Sequence, residues 1–268
     1  MSASDSTPDF QRATRESYDT MAPAYVEFAR GELAAKPLER ALLSTFAELA
    51  AAGGGGLPVA DVGCGTGRVT AHLYELGLGL DVFGIDLAPQ MVAVAREEHP
   101  GLRFEEGSML GLGLPDASLG GLLAWYSTIH VPDEELPRAF AEFHRVLAPG
   151  AHVQLGFQVG DEPLRLTEAW GLEISLDFHR RQPERVAALL RGAGLEVRSV
   201  VWRERDTDGP FPERAPQGFV LARRPVVGGA CEAGGDAERS RGQVQDLSVP
   251  RNGPVGPQSV PPAARRRA

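Results

Sequence analysis

Apolar residues recur along this chain in two rhythms that alternate. Leu38, Ala41, Leu42, Phe46 and Leu49 fall on one helical face, which predicts an amphipathic helix over residues 37–52. Gly53 to Gly56 end it. Short apolar runs then predict strands over 59–62, 81–85, 102–105, 120–124 and 151–159. Between them, helical spacing predicts helices over 68–76, 89–98 and 133–147, with Pro89 in a first turn and Asp133 as an N-cap. A helix over 183–191 stops at Gly192 and Gly194, and strands over 196–203 and 218–223 follow. This alternation predicts an α/β fold: a seven-stranded, mostly parallel sheet with helices on both faces. Upstream, Phe10, Tyr18, Met21, Tyr25, Val26 and Phe28 predict helix over 10–30, broken near Pro23.

The rhythm fails twice. Residues 161–182 carry Trp170, Ile174, Leu176 and Phe178 in a looser pattern, which reads as an insertion or cap. From residue 226 onward the chain is rich in Gly and Pro and has no aromatic residue. Such a composition buries too little surface to offset its ordering entropy, so 226–268 is expected to be a disordered tail. The expected organisation is an N-terminal helical cap over 1–52, an α/β domain over 53–225 and that tail.

The composition, 43% apolar and 24% charged, is that of a soluble globular protein, and no apolar run is long enough to span a membrane. A net charge of −9 offers no basic face to a nucleic acid. The N-terminus lacks a basic and then apolar leader, which predicts a cytoplasmic location. Cys64 and Cys231 are expected to be reduced thiols. Lys36 is the only lysine; with the excess of Ala and Gly this reads as GC-rich bacterial coding.

The candidate chemistry begins at Asp61-Val62-Gly63-Cys64-Gly65-Thr66-Gly67, between the first sheet strand and its helix. Glycine has no Cβ and tolerates positive φ, so this turn lets a ligand meet bare backbone. Its G-x-G-x-G spacing differs from the G-x-G-x-x-G of dinucleotide folds. Asp86 ends the next strand, where a carboxylate presents two acceptor oxygens to two vicinal hydroxyls. Leu147-Ala148-Pro149-Gly150 precedes the fifth strand, and Tyr18-Asp19-x-x-Ala22-x-x-Tyr25 lies in the first helix. Together these residues resemble the class I S-adenosylmethionine (SAM) dependent methyltransferases, small-molecule members above all, over about residues 10–225.

That resemblance implies a Rossmann-like fold, SAM as cofactor and S-adenosyl-L-homocysteine as product. It implies Gly63 and Gly65 beside the methionine portion, with Cys64 and Gly67 completing the turn. Asp61 would orient the turn or the ammonium, and Asp86 would take the ribose hydroxyls. Tyr18 and Tyr25 would lie in a helix that closes over SAM, with Leu87, Met91 and Trp125 against it; Met91 suits the core equally well. Ser108 stands where many relatives carry an acid for the adenine, which leaves the Ser108 hydroxyl and the Met109 amide as its contacts. Ala151 departs from the family's second turn glycine.

The acceptor side is expected after the fourth strand, at Tyr126, Ser127 and His130, with Trp170, His179 and the 161–182 insertion walling the pocket. His130 is the candidate general base, because imidazole titrates near neutrality. A contact to SAM or substrate is the reading set ahead of it, and methyl transfer from a sulfonium needs little beyond in-line positioning. His144 and His152 read as helix-surface and strand residues. No cluster has metal-ligand spacing, so no metal is expected. The reading is methyl transfer to an O or N atom of a small-molecule metabolite, plausibly of secondary metabolism, by a monomer or homodimer with no nucleic-acid or membrane partner. Two alternatives stay open. One is an NAD(P) oxidoreductase, disfavoured by the glycine spacing and by the lack of a Tyr-x-x-x-Lys pair. The other is a non-catalytic SAM-binding regulator.

Overall fold

The computed structural model describes residues 8–226. The expected tail, apart from Val226, and Cys231 with it lie outside these residues. The helices are α1 (Asp9–Ala29), α2 (Pro37–Gly53), α3 (Arg68–Glu75), α4 (Pro89–Glu98), α5 (Leu136–Val146) and α6 (Pro183–Gly192). The strands are β1 (Val59–Val62), β2 (Val82–Asp86), β3 (Arg103–Glu106), β4 (Leu119–Trp125), β5 (Leu147–Gln158), β6 (Leu164–Ala169), β7 (Leu172–Phe178), β8 (Glu196–Arg203) and β9 (Gln217–Arg223). Seven of them form one sheet in the order β3-β2-β1-β4-β5-β9-β8, in which only β9 runs antiparallel.

Every residue of β1 and β4 is buried, as strands covered on both faces must be. On one face Phe140 and Phe143 of α5 and Val186 and Leu190 of α6 pack with Phe83, Leu122 and Leu155. On the other, Leu43 and Phe46 of α2 and Val69 and Leu73 of α3 pack with Val59, Leu123 and Phe219. Each such side chain contributes roughly 1.5–3 kcal/mol when fully buried. These two layers, rather than helix propensity, hold the elements. The chain runs β1-β2-β3 toward one edge and β4-β5 toward the other, so the direction reverses between β1 and β4. Open α/β sheets bind ligands at such a point, beyond the carboxyl ends of the strands. The glycine turn after β1 and the 126–132 segment after β4 meet there.

Four sequence expectations need correction. The first helix is not broken at Pro23: α1 continues to Ala29. Met21 and Ala22 are buried and Asp19 Oδ1 accepts the Gln90 N–H (2.8 Å), so tertiary packing outweighs the lost helical bond. Residues 161–182, expected only as a looser insertion or cap, hold regular strands: β6 and β7 pair as a separate hairpin. Its tip is Trp170-Gly171, at φ 51° and 77°, the two positive angles of a two-residue type I′ turn. Asp133 does not cap α5, which starts at Leu136; its carboxylate pairs with Arg181 and Arg185, both at 2.7 Å. Finally, β5 starts at Leu147, paired with Leu119, so the Pro149-Gly150 turn lies within it.

Candidate active site

Beyond β1 the glycine turn is tied to β2 at both ends. The Ile85 carbonyl accepts the N–H groups of Gly63 (2.7 Å) and Cys64 (3.1 Å). Asp86 then accepts the Gly65 N–H on Oδ2 (2.7 Å) and the Ala88 N–H on Oδ1 (2.9 Å). Burial raises the Asp86 carboxyl above its ordinary value, and those backbone donors oppose the rise. Each carboxylate oxygen keeps a lone pair for a further donor. Gly63 and Gly65, at φ 77° and 56°, are both left-handed but for different neighbours. A Cβ on Gly63 would fall 2.2 Å from Ser127 Cβ, whereas one on Gly65 would meet only Tyr25, at 3.9 Å.

A cavity of about 1020 Å³, counting space open to solvent, lies over this turn. Two buried polar atoms of its lining residues have no partner among the described residues: the acceptor Asp61 Oδ1 and the donor Trp125 Nε1. Asp61 Oδ2 accepts from Thr70 (2.7 Å), while burial pushes the Asp61 carboxyl up to about 7. Buried orphans of this kind each cost about 1–3 kcal/mol unless a ligand satisfies them. A cation at Asp61 and an anion at the indole N–H would do so.

Helix α1 roofs the cavity. Gln11 donates to Ser108 Oγ (2.7 Å), and Ser108 Oγ accepts the Leu110 N–H (3.2 Å), so the Ser108 hydroxyl is already engaged. Tyr18 Oη lies 2.7 Å from His130 Nε2, and His130 Nδ1 lies 3.0 Å from the Asp177 carbonyl. A carbonyl only accepts, so Nδ1 carries the hydrogen and Nε2 receives the Tyr18 O–H. Burial pushes His130 down to about 4 and raises the Tyr18 phenol well above its usual value. Near neutrality both groups are uncharged.

The wall after β4 is held from behind. Ser127 donates to the Val62 carbonyl (2.6 Å). Tyr126, at φ 54°, donates to Glu39 (3.2 Å), which in turn faces Arg203 (3.3 Å). Arg181 is 2% exposed; it binds Asp133 and donates to the carbonyls of Thr128 and Val131 on either side of His130.

Of the residues expected at the site, Tyr18, Tyr25, Asp61, Gly63, Cys64, Gly65, Asp86, Leu87, Ser108, Met109, Trp125, Tyr126, Ser127 and His130 line this one cavity. Gly67, Met91, Trp170 and His179 do not. Gly67 starts α3 against Phe104, Met91 is buried with Ala22 and Ala88, and half-exposed Trp170 packs on Phe28. His179 donates its N–H to the Ile129 carbonyl (2.7 Å). The sequence reading missed Arg68, which lines the cavity and pairs with Glu32 (2.6 Å), and Gln11, Arg15 and Arg181. Arg68 directly follows the last glycine of the turn, a position that could have flagged it. Among the described residues, no group of three His, Cys, Asp or Glu is placed to hold a metal ion, and no helix is long and apolar enough to cross a membrane.

Comparison with known proteins bears on this geometry. Residues 59–150 match the family model of a methyltransferase domain. The chain is 34% identical over 116 residues to a malonyl-[acyl-carrier protein] O-methyltransferase of Pectobacterium atrosepticum, covering 43% of this chain and 44% of that one. It is 36% identical over 129 residues to a demethylmenaquinone methyltransferase of Thermus thermophilus, covering 47% and 56%. The chain thus spans about half the length of such curated relatives. Among solved structures, the [4+2]-cyclase SpnF superposes with a TM-score of 0.61 at 22% identity over 82% of this chain and 98% of that one. The DhpI–SAH complex superposes with a TM-score of 0.57 at 21% identity over 81% and 97%. These two likenesses carry the fold alone. The matched domain is a methyltransferase domain, which sets the NAD(P) oxidoreductase alternative aside. The domain match and the named methyltransferase relatives thus support, for the part of the chain that carries the glycine turn, a class I SAM-dependent methyltransferase with SAM as its cofactor.

Proposed function

We propose that this chain transfers a methyl group to an oxygen or nitrogen atom of a small-molecule metabolite. One observation carries the reading: the glycine turn and the polar set Tyr18, Tyr126, Ser127 and His130 line one cavity under α1. A concave site roofed by α1 suits a small molecule better than a polymer. When bound, SAM supplies a methyl group on a sulfonium that leaves as a neutral thioether.

The chain's own residues fit that group. Asp61 Oδ1 would take the ammonium and Trp125 Nε1 the carboxylate of the amino-acid end, which satisfies both buried orphans. The free lone pairs of Asp86 would take the ribose hydroxyls. Leu87 and Met109 would flank the adenine, with Ser108 already held by Gln11. The site would then orient the acceptor and exclude water, and positioning of this kind supplies much of the acceleration in an in-line displacement. A cytoplasmic monomer or homodimer acting in secondary metabolism belongs to the same proposal.

Calorimetry with SAM, followed by labelled SAM and a small-molecule extract, tests it. Binding with transfer of label supports the reading. SAM binding without label in any extracted compound would instead favour the SAM-binding regulator. No binding would remove both.

A further inference from the structure

We propose that the acceptor is a hydroxyl compound, and that its proton leaves through the Tyr18 hydroxyl to Nε2 of His130. This deepens the methyl-transfer reading and rests on it. The sequence points to His130 as the base, but in the structure His130 has no free basic nitrogen for an acceptor. Nδ1–H is spent on the Asp177 carbonyl and Nε2 is covered by Tyr18. The group left to meet an acceptor is Tyr18 Oη. Its hydrogen is donated to Nε2, so it offers lone pairs only.

That arrangement selects among acceptors. A hydroxyl brings a hydrogen to those lone pairs and hydrogen-bonds well. A carboxylate brings lone pairs against lone pairs and is repelled. A neutral amine needs no relay, because its methylated ammonium gives up its proton to water afterwards.

The bookkeeping of atoms closes. The acceptor O–C bond forms as the C–S bond of the sulfonium breaks, and that electron pair stays on sulfur. The acceptor proton passes to Tyr18 Oη as the Tyr18 proton passes to Nε2. His130 becomes imidazolium while the sulfonium charge disappears, so the cavity's net charge is unchanged until the imidazolium releases its proton. The rings are held for this: His130 packs edge-on against Tyr18 (5.2 Å between centroids) and Phe178 (4.8 Å). The ionisable groups around the imidazole are Tyr18 from α1, and Asp177, His179 and Arg181 from β7 and the turn after it.

Two measurements test the relay. The first is ¹⁵N-histidine NMR of the full chain saturated with S-adenosylhomocysteine near neutral pH. A neutral ring with hydrogen on Nδ1, whose Nε2 resonance moves in Tyr18→Phe, supports the relay. Hydrogen on Nε2, or an imidazolium, overturns it. The second uses labelled SAM with phenol, 4-nitrophenol, benzoate and aniline as probes. For phenol, Tyr18→Phe should lower kcat by about 10²-fold, within the usual range for general-base assistance, and leave the SAM KM unchanged. For 4-nitrophenol, already ionised in mildly alkaline buffer, no proton has to leave and Tyr18 Oη only opposes the phenolate, so the penalty should vanish or reverse. Equal penalties for the two phenols, or transfer to benzoate or aniline in preference to phenol, overturn the proposal. If none of the probes accepts label, the NMR result decides. Failure of the wild-type chain to bind SAM in calorimetry would instead remove the methyl-transfer reading itself.

Discussion

Two alanine substitutions two residues apart in the glycine turn should fail in different ways. Gly63 and Gly65 are both left-handed, so an alanine at either costs about 1–2 kcal/mol of backbone strain. Only Gly63 lacks room: its Cβ would lie 2.2 Å from Ser127 Cβ and 2.9 Å from Ser127 Oγ. Ser127 is itself pinned to the Val62 carbonyl and has nowhere to retreat. Overpacking of this kind adds about 1–3 kcal/mol. Gly63→Ala should therefore lose roughly 2–5 kcal/mol, a large part of a typical domain's stability. Gly65→Ala should lose only the strain term but weaken SAM binding, because its methyl group faces the cavity and Tyr25. Urea unfolding followed by circular dichroism gives the first quantity, and calorimetry with SAM gives the second. Equal stability losses for the two variants, or unaltered SAM affinity in Gly65→Ala, would refute this account of the turn.

Three further outcomes are expected. Asp86→Ala should cut SAM affinity by at least tenfold and destabilise the chain by about 1–3 kcal/mol, because the Gly65 and Ala88 N–H groups lose their acceptor; unchanged affinity in calorimetry would count against the ribose assignment. Asp61, pushed up to about 7 by burial, holds a proton in the folded chain that the unfolded chain releases above about pH 4, so its stabilising effect is full below that pH and is lost as pH rises toward 7. Between pH 4 and 6.5, His130, held down at about 4, acts in the opposite sense. An ammonium against Asp61 Oδ1 favours the carboxylate, so just below pH 7 SAM binding should release a proton, seen as buffer-dependent heat and abolished in Asp61→Asn; equal heats in both buffers for the wild type would rule this out. Arg181→Met should cost about 1–3 kcal/mol in urea unfolding, since it leaves the Thr128 and Val131 carbonyls around His130 without their donor while Asp133 keeps Arg185; an unchanged stability would show that Arg181 does not hold that segment.

The main sheet was legible because buried parallel strands are short apolar runs bounded by glycine and proline, and helices of matching length separate them. The cavity's floor was legible for a related reason: Asp61 to Gly67 is contiguous, and its glycines state their own backbone requirement. The hairpin was hidden because its type I′ turn is Trp170-Gly171 rather than Asn-Gly, and a tryptophan at positive φ gives no turn signal. Contacts between side chains far apart in the chain were hidden altogether. Nothing local says that Tyr18 will cover His130, 112 positions away, or that Arg181 will hold the carbonyls around it. Asp133 shows the same limit, since its position favoured a helix cap and a buried guanidinium won it instead.

The hairpin β6–β7 stands outside the main sheet, and one side of β7 has no strand beside it. Bare strand edges recruit other chains. Here the active-site parts occupy that edge. Ser17 of α1 exchanges hydrogen bonds with both backbone groups of Ser175, His130 takes the Asp177 carbonyl, and the Ile129 carbonyl takes the His179 N–H. Lifting α1 to admit a ligand therefore strips part of the cover from a strand edge. The contacts that orient the imidazole also guard against edge-to-edge self-association, so an acceptor-side variant that loosens α1 should aggregate before it unfolds.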